Sequence, residues 1–264
     1  MPNISIVTAF YDIGRGDWTP DKGLPHYLHR TTDTYIERFS HMAQLNNEII
    51  VFSTPDIFEK LRPLNTKNNI KFVNFDIFQQ YADLKKVIED VQKSESYQSI
   101  INPAQRLNPE YWNADYVLVN FLKSYFVNRA IESGIVNNEQ VAWIDFGYCR
   151  PEVYCPPGME WKFDTEDQIN LFCMNLFTHS KPIFEIVRTG EVYMQGCHIV
   201  APKKYWSTLK QLVNDNLSTL FNVGLIDDDQ TLLLMAYRSA PEIFKLNPAS
   251  NDDWFVIFKD YNHD

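Results

Sequence analysis

The sequence predicts an α/β domain with helices flanking a central sheet, and three observations carry that expectation. Short β-branched runs alternate with segments of helical spacing, the first elements read strand, helix, strand, and an apolar run in mid-chain, VAWI, leads into the acid of WIDFG. No internal repeat or low-complexity tract breaks the alternation.

The opening run ISIVTAF, Ile4 to Phe10, is a buried strand that stops at the polar, glycine-containing stretch YDIGRGDW, and ligands favour such strand ends. Asp33 is placed to cap a helix with apolar positions Ile36, Phe39, Met42 and Ala43, and NEIIVFST supplies the second strand. NIKFVNF, Asn69 to Phe75, predicts a third. The polar segment from Lys93 to Asn113 has little periodicity and reads as a long loop. From Tyr116 to Ser133 one helix is expected, with Leu118, Phe121, Leu122 and Tyr125 on its apolar face, Asn120, Lys123 and Ser124 opposite, and Gly134 at its end. VAWIDFGY then predicts a central strand that delivers Asp145 to its carboxyl end. Farther on, EVYMQGCHIVAP is strand-like, Trp206 to Leu220 forms a long amphipathic helix, and a final helix starts at Asp227 to Asp229.

Composition narrows the function. At 264 residues with 45% hydrophobic and 22% charged residues, the chain can bury a full core. A formal charge of -10, from 34 acids and 24 bases, repels nucleic acid and disfavours it as a partner. Cys149, Cys155, Cys173 and Cys197 show no CxxC pair and no zinc or disulfide spacing, which fits reduced thiols in a cytosolic protein. The opening MPNISIVTAFYD lacks a basic stretch followed by a long apolar run, and nowhere is there an apolar run of the roughly 18 residues that cross a membrane. The expectation is therefore a cytoplasmic protein, with at most a peripheral contact to the inner face of the cytoplasmic membrane.

Several constellations could carry chemistry. Asp145, with Gly147 two residues later to permit close backbone approach, reads as a ligand to a divalent cation or to a sugar nucleotide, or else as a cap of the next turn. The tetrad Asp227 to Gln230 has the spacing of a capping box but more acid than capping needs, so Asp228 or Asp229 could accept a proton from an acceptor hydroxyl or hold the transferred sugar. Asp12, Arg15 and Asp17 sit in the loop after the first strand, where Gly14 and Gly16 form no phosphate loop because no GK[ST] follows. Lys123 suits a phosphate, or else is a solvated surface lysine. The histidines include no HExxH pair, and His263 reaches a metal only if the C-terminal tail folds back. A GxSxG elbow and a convincing Cys/His dyad are missing, which leaves hydrolase chemistry little to rest on.

TAFYDIGRGDW, the lysine of FLKSYF, WIDFG, QGCHIV and DDDQTLL occur together and in this order, and on them the chain resembles the HtrL/YibB family of bacterial proteins from about Ile4 to Leu246. The resemblance implies a single GT-A, Rossmann-like domain with a mixed sheet over residues 1–264, its nucleotide-binding part about 1–150 and its acceptor-binding part about 151–264. It implies a glycosyltransferase that moves a hexose-type unit from a UDP- or GDP-linked sugar to lipopolysaccharide, lipooligosaccharide or capsule, with a glycan or lipid-linked glycan as acceptor. Asp145 then corresponds to the DxD carboxylate that holds Mn²⁺ or Mg²⁺, although the triplet here is DFG and the second acid is Gly147. Thr8, Phe10, Asp12 and Arg15 would hold the nucleotide, Lys123, Gly147 and Gly196 the donor, and Asp228, Asp229 and Gln230 would face the acceptor. Two rivals are a sugar-phosphate nucleotidyltransferase, at which only the GRG stretch hints, and a non-catalytic glycan-binding protein on the same fold.

Overall fold

The computed structural model describes residues 3–151, 153, 155–174, 181–249 and 253–258. The elements run β1 (Ile4–Ala9), α1 (Thr32–Met42), β2 (Glu48–Ser53), α2 (Pro55–Leu61), β3 (Ile70–Asn74), α3 (Ile77–Gln80), α4 (Ala82–Lys93), α5 (Glu95–Ile100), α6 (Ala114–Phe121) and α7 (Lys123–Glu132). They continue as β4 (Gln140–Ile144), β5 (Ile169–Cys173), α8 (Ile183–Thr189), β6 (His198–Pro202), α9 (Lys203–Asn222), α10 (Asp229–Ser239) and β7 (Phe244–Pro248).

One sheet joins both halves of the chain in the order β3-β2-β1-β4-β6-β5-β7. The first four strands are parallel, β6 runs antiparallel to β4 and β5, and β7 is parallel to β5, so the sheet is mixed, as expected. From β1 the chain winds outward to β2 and β3 on one side and later returns to place β4 on the other. That reversal opens a crevice at the carboxyl ends of β1 and β4, the place where open α/β sheets bind ligands.

Both faces of the sheet are covered, so β1 and β4 are buried almost throughout and mainly apolar, without a solvent-facing alternation. Val7, Ala9, Val141 and Trp143 point into a core shared with α6, α7, α9 and α10. Ile4, Ile6, Ala142 and Ile144 point into a second core with Phe39 and Met42 of α1, Trp161, and Ile257 and Phe258.

Several local expectations change. The cap of α1 is Thr31, whose hydroxyl accepts from the Thr34 amide, while Asp33 lies in the first turn with an exposed side chain. The segment from Lys93 to Asn113 is not a bare loop: Lys93 closes α4, Ser94 caps α5, and the buried Tyr97 and Tyr111 donate to the carbonyls of Ile226 and Val187. Its sequence looks aperiodic because those anchors are tertiary, and a polar surface surrounds them. The expected helix from Tyr116 to Ser133 is two helices that meet at Leu122. Since α7 lies against β1, β4 and α9, it is buried on more than one side, and Lys123 and Ser124 are inside. In EVYMQGCHIVAP only His198–Pro202 is a strand; the segment before it carries an isolated bridge from Met194 to Cys173. No helix among the described residues is long and apolar enough to cross a membrane.

Candidate active site

A cavity of about 590 Å³ opens at the carboxyl ends of β1 and β4. Its walls come from seven places: the loop after β1, the start of α1, the α6–α7 junction, the turn after β4, and the segments at 196–197, 229–230 and 254–255.

Lys123 is its central group. The ammonium lies 3.0 Å from Asp145 Oδ1, 2.9 Å from Asp229 Oδ2 and 2.9 Å from the carbonyl oxygen of Gly196. Tyr116, Val119, Asn120 and Lys123 follow helical spacing and all line the cavity, so the polar face of this segment looks into the site and not into solvent. A lysine at the N-terminal end of α7 opposes the helix dipole, and burial alone would discharge it. Asp145 and Asp229 outweigh that burial and hold the Lys123 ammonium above its ordinary pKa.

Asp145 follows the last residue of β4, and its Oδ1 also accepts from Trp143 Nε1 at 2.8 Å. Its backbone amide bonds to the Cys197 carbonyl at 2.8 Å, which ties the turn after β4 to the segment before β6. Asp229 is the first residue of α10; burial raises its carboxyl, and the Lys123 charge opposes the rise. Gly196 leaves room for that carboxylate, since a Cβ built there would lie 2.0 Å from Asp229 Oδ2.

The loop after β1 is organised by Asp12, which accepts from the Gly14 amide at 2.9 Å and the Thr32 hydroxyl at 2.6 Å. Gly14, at φ 77°, turns the chain so that Arg15 is buried, its Nε on the Leu28 carbonyl, its Nη1 on the Tyr35 hydroxyl, and its guanidinium over the Trp18 ring. A Cβ at Gly147 would come within 2.8 Å of the Tyr35 ring, so the close approach that this glycine permits is to the aromatic partner of Arg15. Phe10 lines the cavity and stacks on Phe146 at 5.0 Å.

The structure thus brings together Phe10, Asp12, Arg15, Lys123, Asp145, Gly147, Gly196, Asp229 and Gln230. Two residues predicted for the site are not on the cavity wall. Thr8 is fully buried within β1, one pleat step short of Phe10, and its hydroxyl has no hydrogen-bond partner among the described residues. Asp228 caps α10 by accepting from the Gln230 amide, and burial, then Asp229, Asp227 and Glu110, raise its carboxyl well above the usual range. The cap is therefore Asp228, one residue after the expected Asp227, and in place of a reciprocal box with Gln230, Asp227 accepts from the Thr231 hydroxyl and the Asp228 amide. Asp17 is outside the cavity, near Lys22 on the surface, and His263 lies outside the described residues.

Arg30, Tyr35, Tyr116, Arg150, Trp254 and Phe255 also line the cavity and went unread in the sequence. Arg150 closes the motif WIDFGYCR and could have been found there; its guanidinium lies over the Phe255 ring at 4.5 Å. The approach of residues 253–258 to the site, through the Cys197 thiol on the Trp254 carbonyl and the Gln195 amide on the Asp253 carbonyl, leaves no local signal in sequence.

Cys197 and His198 touch, Sγ to Nδ1 at 3.1 Å, but burial pushes the thiol up and the imidazole down to about 3. Both are neutral, so the contact is not an activated nucleophile. As for a metal, among the described residues no three His, Cys, Asp or Glu side chains are grouped to hold one. Of the three acids on the wall, Asp145 and Asp229 already share the Lys123 ammonium, and Asp12 is engaged by the Gly14 amide and the Thr32 hydroxyl. This donor set does not fit a DxD-type cation site.

A profile of the HtrL_YibB family, described as bacterial protein of unknown function, matches residues 2–263. Protein HtrL of Escherichia coli (strain K12) is 37% identical over 261 residues, covering 97% of this chain and 91% of that protein. Similar solved structures include mouse xyloside xylosyltransferase 1 in its apo form, 10% identical, covering 93% of this chain and 84% of that one at a TM-score of 0.41. The WbbM bifunctional glycosyltransferase apo structure is 12% identical, covering 98% of this chain and 42% of that one at a TM-score of 0.45. The inositol-1-phosphate CTP transferase from T. maritima is 13% identical, covering 95% of this chain and 86% of that one at a TM-score of 0.39. All three TM-scores are below 0.5.

Proposed function

The chain belongs to the HtrL/YibB family, and from that premise we propose that it is a GT-A-type glycosyltransferase that moves a sugar from a nucleotide sugar to a bacterial surface glycan. One observation carries the reading: at the crevice between β1 and β4, a buried lysine joins two carboxylates on the wall of a cavity also lined by Arg15, Arg30 and Arg150. Guanidinium groups match the oxygens of a diphosphate. Phe10, Tyr35 and Phe146 form an aromatic surface beside them that suits a base or a sugar face.

In this reading the arginines hold the diphosphate and Asp145 orients the donor sugar through its hydroxyls. Asp229, with Gln230 beside it, faces the acceptor. The bond from the anomeric carbon to the diphosphate breaks, with its electron pair leaving on phosphate oxygen. A bond from the acceptor oxygen to the same carbon forms, and the acceptor proton passes to Asp229. Burial moves the Asp229 carboxyl toward the range in which a carboxylate accepts such a proton well. Lys123 positions both acids.

A thermal-shift screen of nucleotide sugars against free glycans tests the proposal. Stabilisation by one UDP- or GDP-sugar, with release of nucleoside diphosphate when acceptor is added, is the expected result. Stabilisation by free glycan alone would leave a glycan-binding protein in its place.

A further inference from the structure

We propose that this site receives the diphosphate of its donor without a divalent cation, because Lys123 occupies the cation position between the two acids and arginines supply the remaining charge. The inference rests on the nucleotide-sugar reading and concerns how that ligand is held.

Lys123 is held at three points: it donates to Asp229 Oδ2 and to the Gly196 carbonyl, each at 2.9 Å, and forms an ion pair with Asp145 Oδ1 at 3.0 Å. Asp145 Oδ1 takes a second donor from Trp143. The Lys123 side chain is 6% exposed and that of Asp229 is 8% exposed, so the pair sits where opposite charges attract strongly and separation is costly. A metal ion bound by these acids must first evict a buried ammonium held at three points, and would leave that charge stranded beside it. Gly147 stands where a second carboxylate would be needed, and its space is filled by the Tyr35 ring.

Charge for a diphosphate is nevertheless present. Four cations, Arg15, Arg30, Arg150 and Lys123, line the cavity against three carboxylates, in a chain whose formal charge is -10. Arg15 is held at Nε and Nη1 and stacked over Trp18, so its guanidinium is fixed before a ligand arrives. Arg30 is half-buried on the same wall, and its side chain makes no hydrogen bond or ion pair among the described residues. A fixed guanidinium and an uncommitted one on the same wall form a two-point holder for phosphate oxygens.

Calorimetric titration of the full chain with UDP and with GDP, in EDTA and again in MnCl₂, tests the inference. One nucleotide is expected to bind with the same Kd, within about threefold, in both buffers. Arg30→Ala and Arg15→Ala are each expected to weaken it at least about tenfold in both buffers. Arg30→Ala keeps the test valid if loss of the buried Arg15 impairs folding. Binding that tightens tenfold or more with Mn²⁺ overturns the inference and leaves the nucleotide-sugar reading standing. So does a stoichiometric Mn²⁺ site, seen by electron paramagnetic resonance without nucleotide and abolished by Asp145→Asn. Failure of both nucleotides in both buffers sinks the reading and the inference together.

Discussion

The carboxylate of Asp229 fills the space in which Gly196 would carry a side chain, with only 2.0 Å between Oδ2 and the position of an added Cβ. Gly196→Ala must therefore push Asp229 off Lys123 or shift the segment before β6. An overpacking cost of about 1–3 kcal/mol is expected, together with loss of sugar transfer. Thermal unfolding beside a transfer assay checks this; a variant with wild-type stability and turnover would show that Asp229 moves freely.

Lys123→Met leaves Asp145 and Asp229 facing each other without their cation. Breaking a buried ion pair from one side costs about 3–5 kcal/mol. Adding Asp229→Asn removes the charge left without its partner, so the double variant is expected to be more stable than Lys123→Met alone. Urea unfolding of the two single variants and the double variant measures that coupling, and additive effects would contradict it.

His198 gives the pH dependence a defined sign. Burial, reinforced by Lys123, lowers its imidazole to about 3, and its Nε2 is buried without a hydrogen-bond partner among the described residues. An unfolded histidine titrates near 6.5, so the unfolded chain takes the proton first. The stability due to neutral His198 is complete above that value and is lost as pH falls toward about 3. Asp227 and Glu110, raised mainly by burial to about 6 and about 8, act in the opposite sense, since protonation of the folded form stabilises it as pH falls. The clean observable is a difference. Between pH 6 and 5 the wild type should lose up to about 1.4 kcal/mol relative to His198→Gln, measured by urea unfolding. Equal pH slopes would mean that His198 does not titrate in isolation.

The caps separate what sequence could and could not locate. Thr31→Ala is expected to cost about 1 kcal/mol, because it frees the Thr34 amide. Asp33→Ala should stay within about 0.5 kcal/mol, since its side chain is exposed and only near Lys60. Thermal unfolding of the two variants distinguishes them, and the reverse order would restore Asp33 as the cap.

The same contrast holds across the molecule. Short, mainly apolar runs such as ISIVTA and QVAWI, bounded by polar stretches, announce buried strands, and the acid after QVAWI marked the crevice directly. Strands β5 and β7 went unread: INLFC and FKLNP are short, and Asn170 and Asn247 within them, bonded to each other, make the pattern look like loop. Lys123 was legible as a phosphate-type cation but not as the partner of two carboxylates, because Asp229 lies 106 residues away. Asp228 and Asp229 are indistinguishable as neighbours in sequence. The start of α10 separates them, turning one to the cap and the other into the cavity.

The central claim, that Asp145 holds a nucleotide-sugar donor beside Lys123, is tested most directly by calorimetry on Asp145→Ala. The variant should fold, because Lys123 keeps Asp229 and the Gly196 carbonyl as partners. With the nucleotide sugar that stabilises the wild type most, affinity is predicted to fall at least about tenfold, or about 1.4 kcal/mol. An Asp145→Ala protein that binds this donor as tightly as the wild type would contradict the assignment.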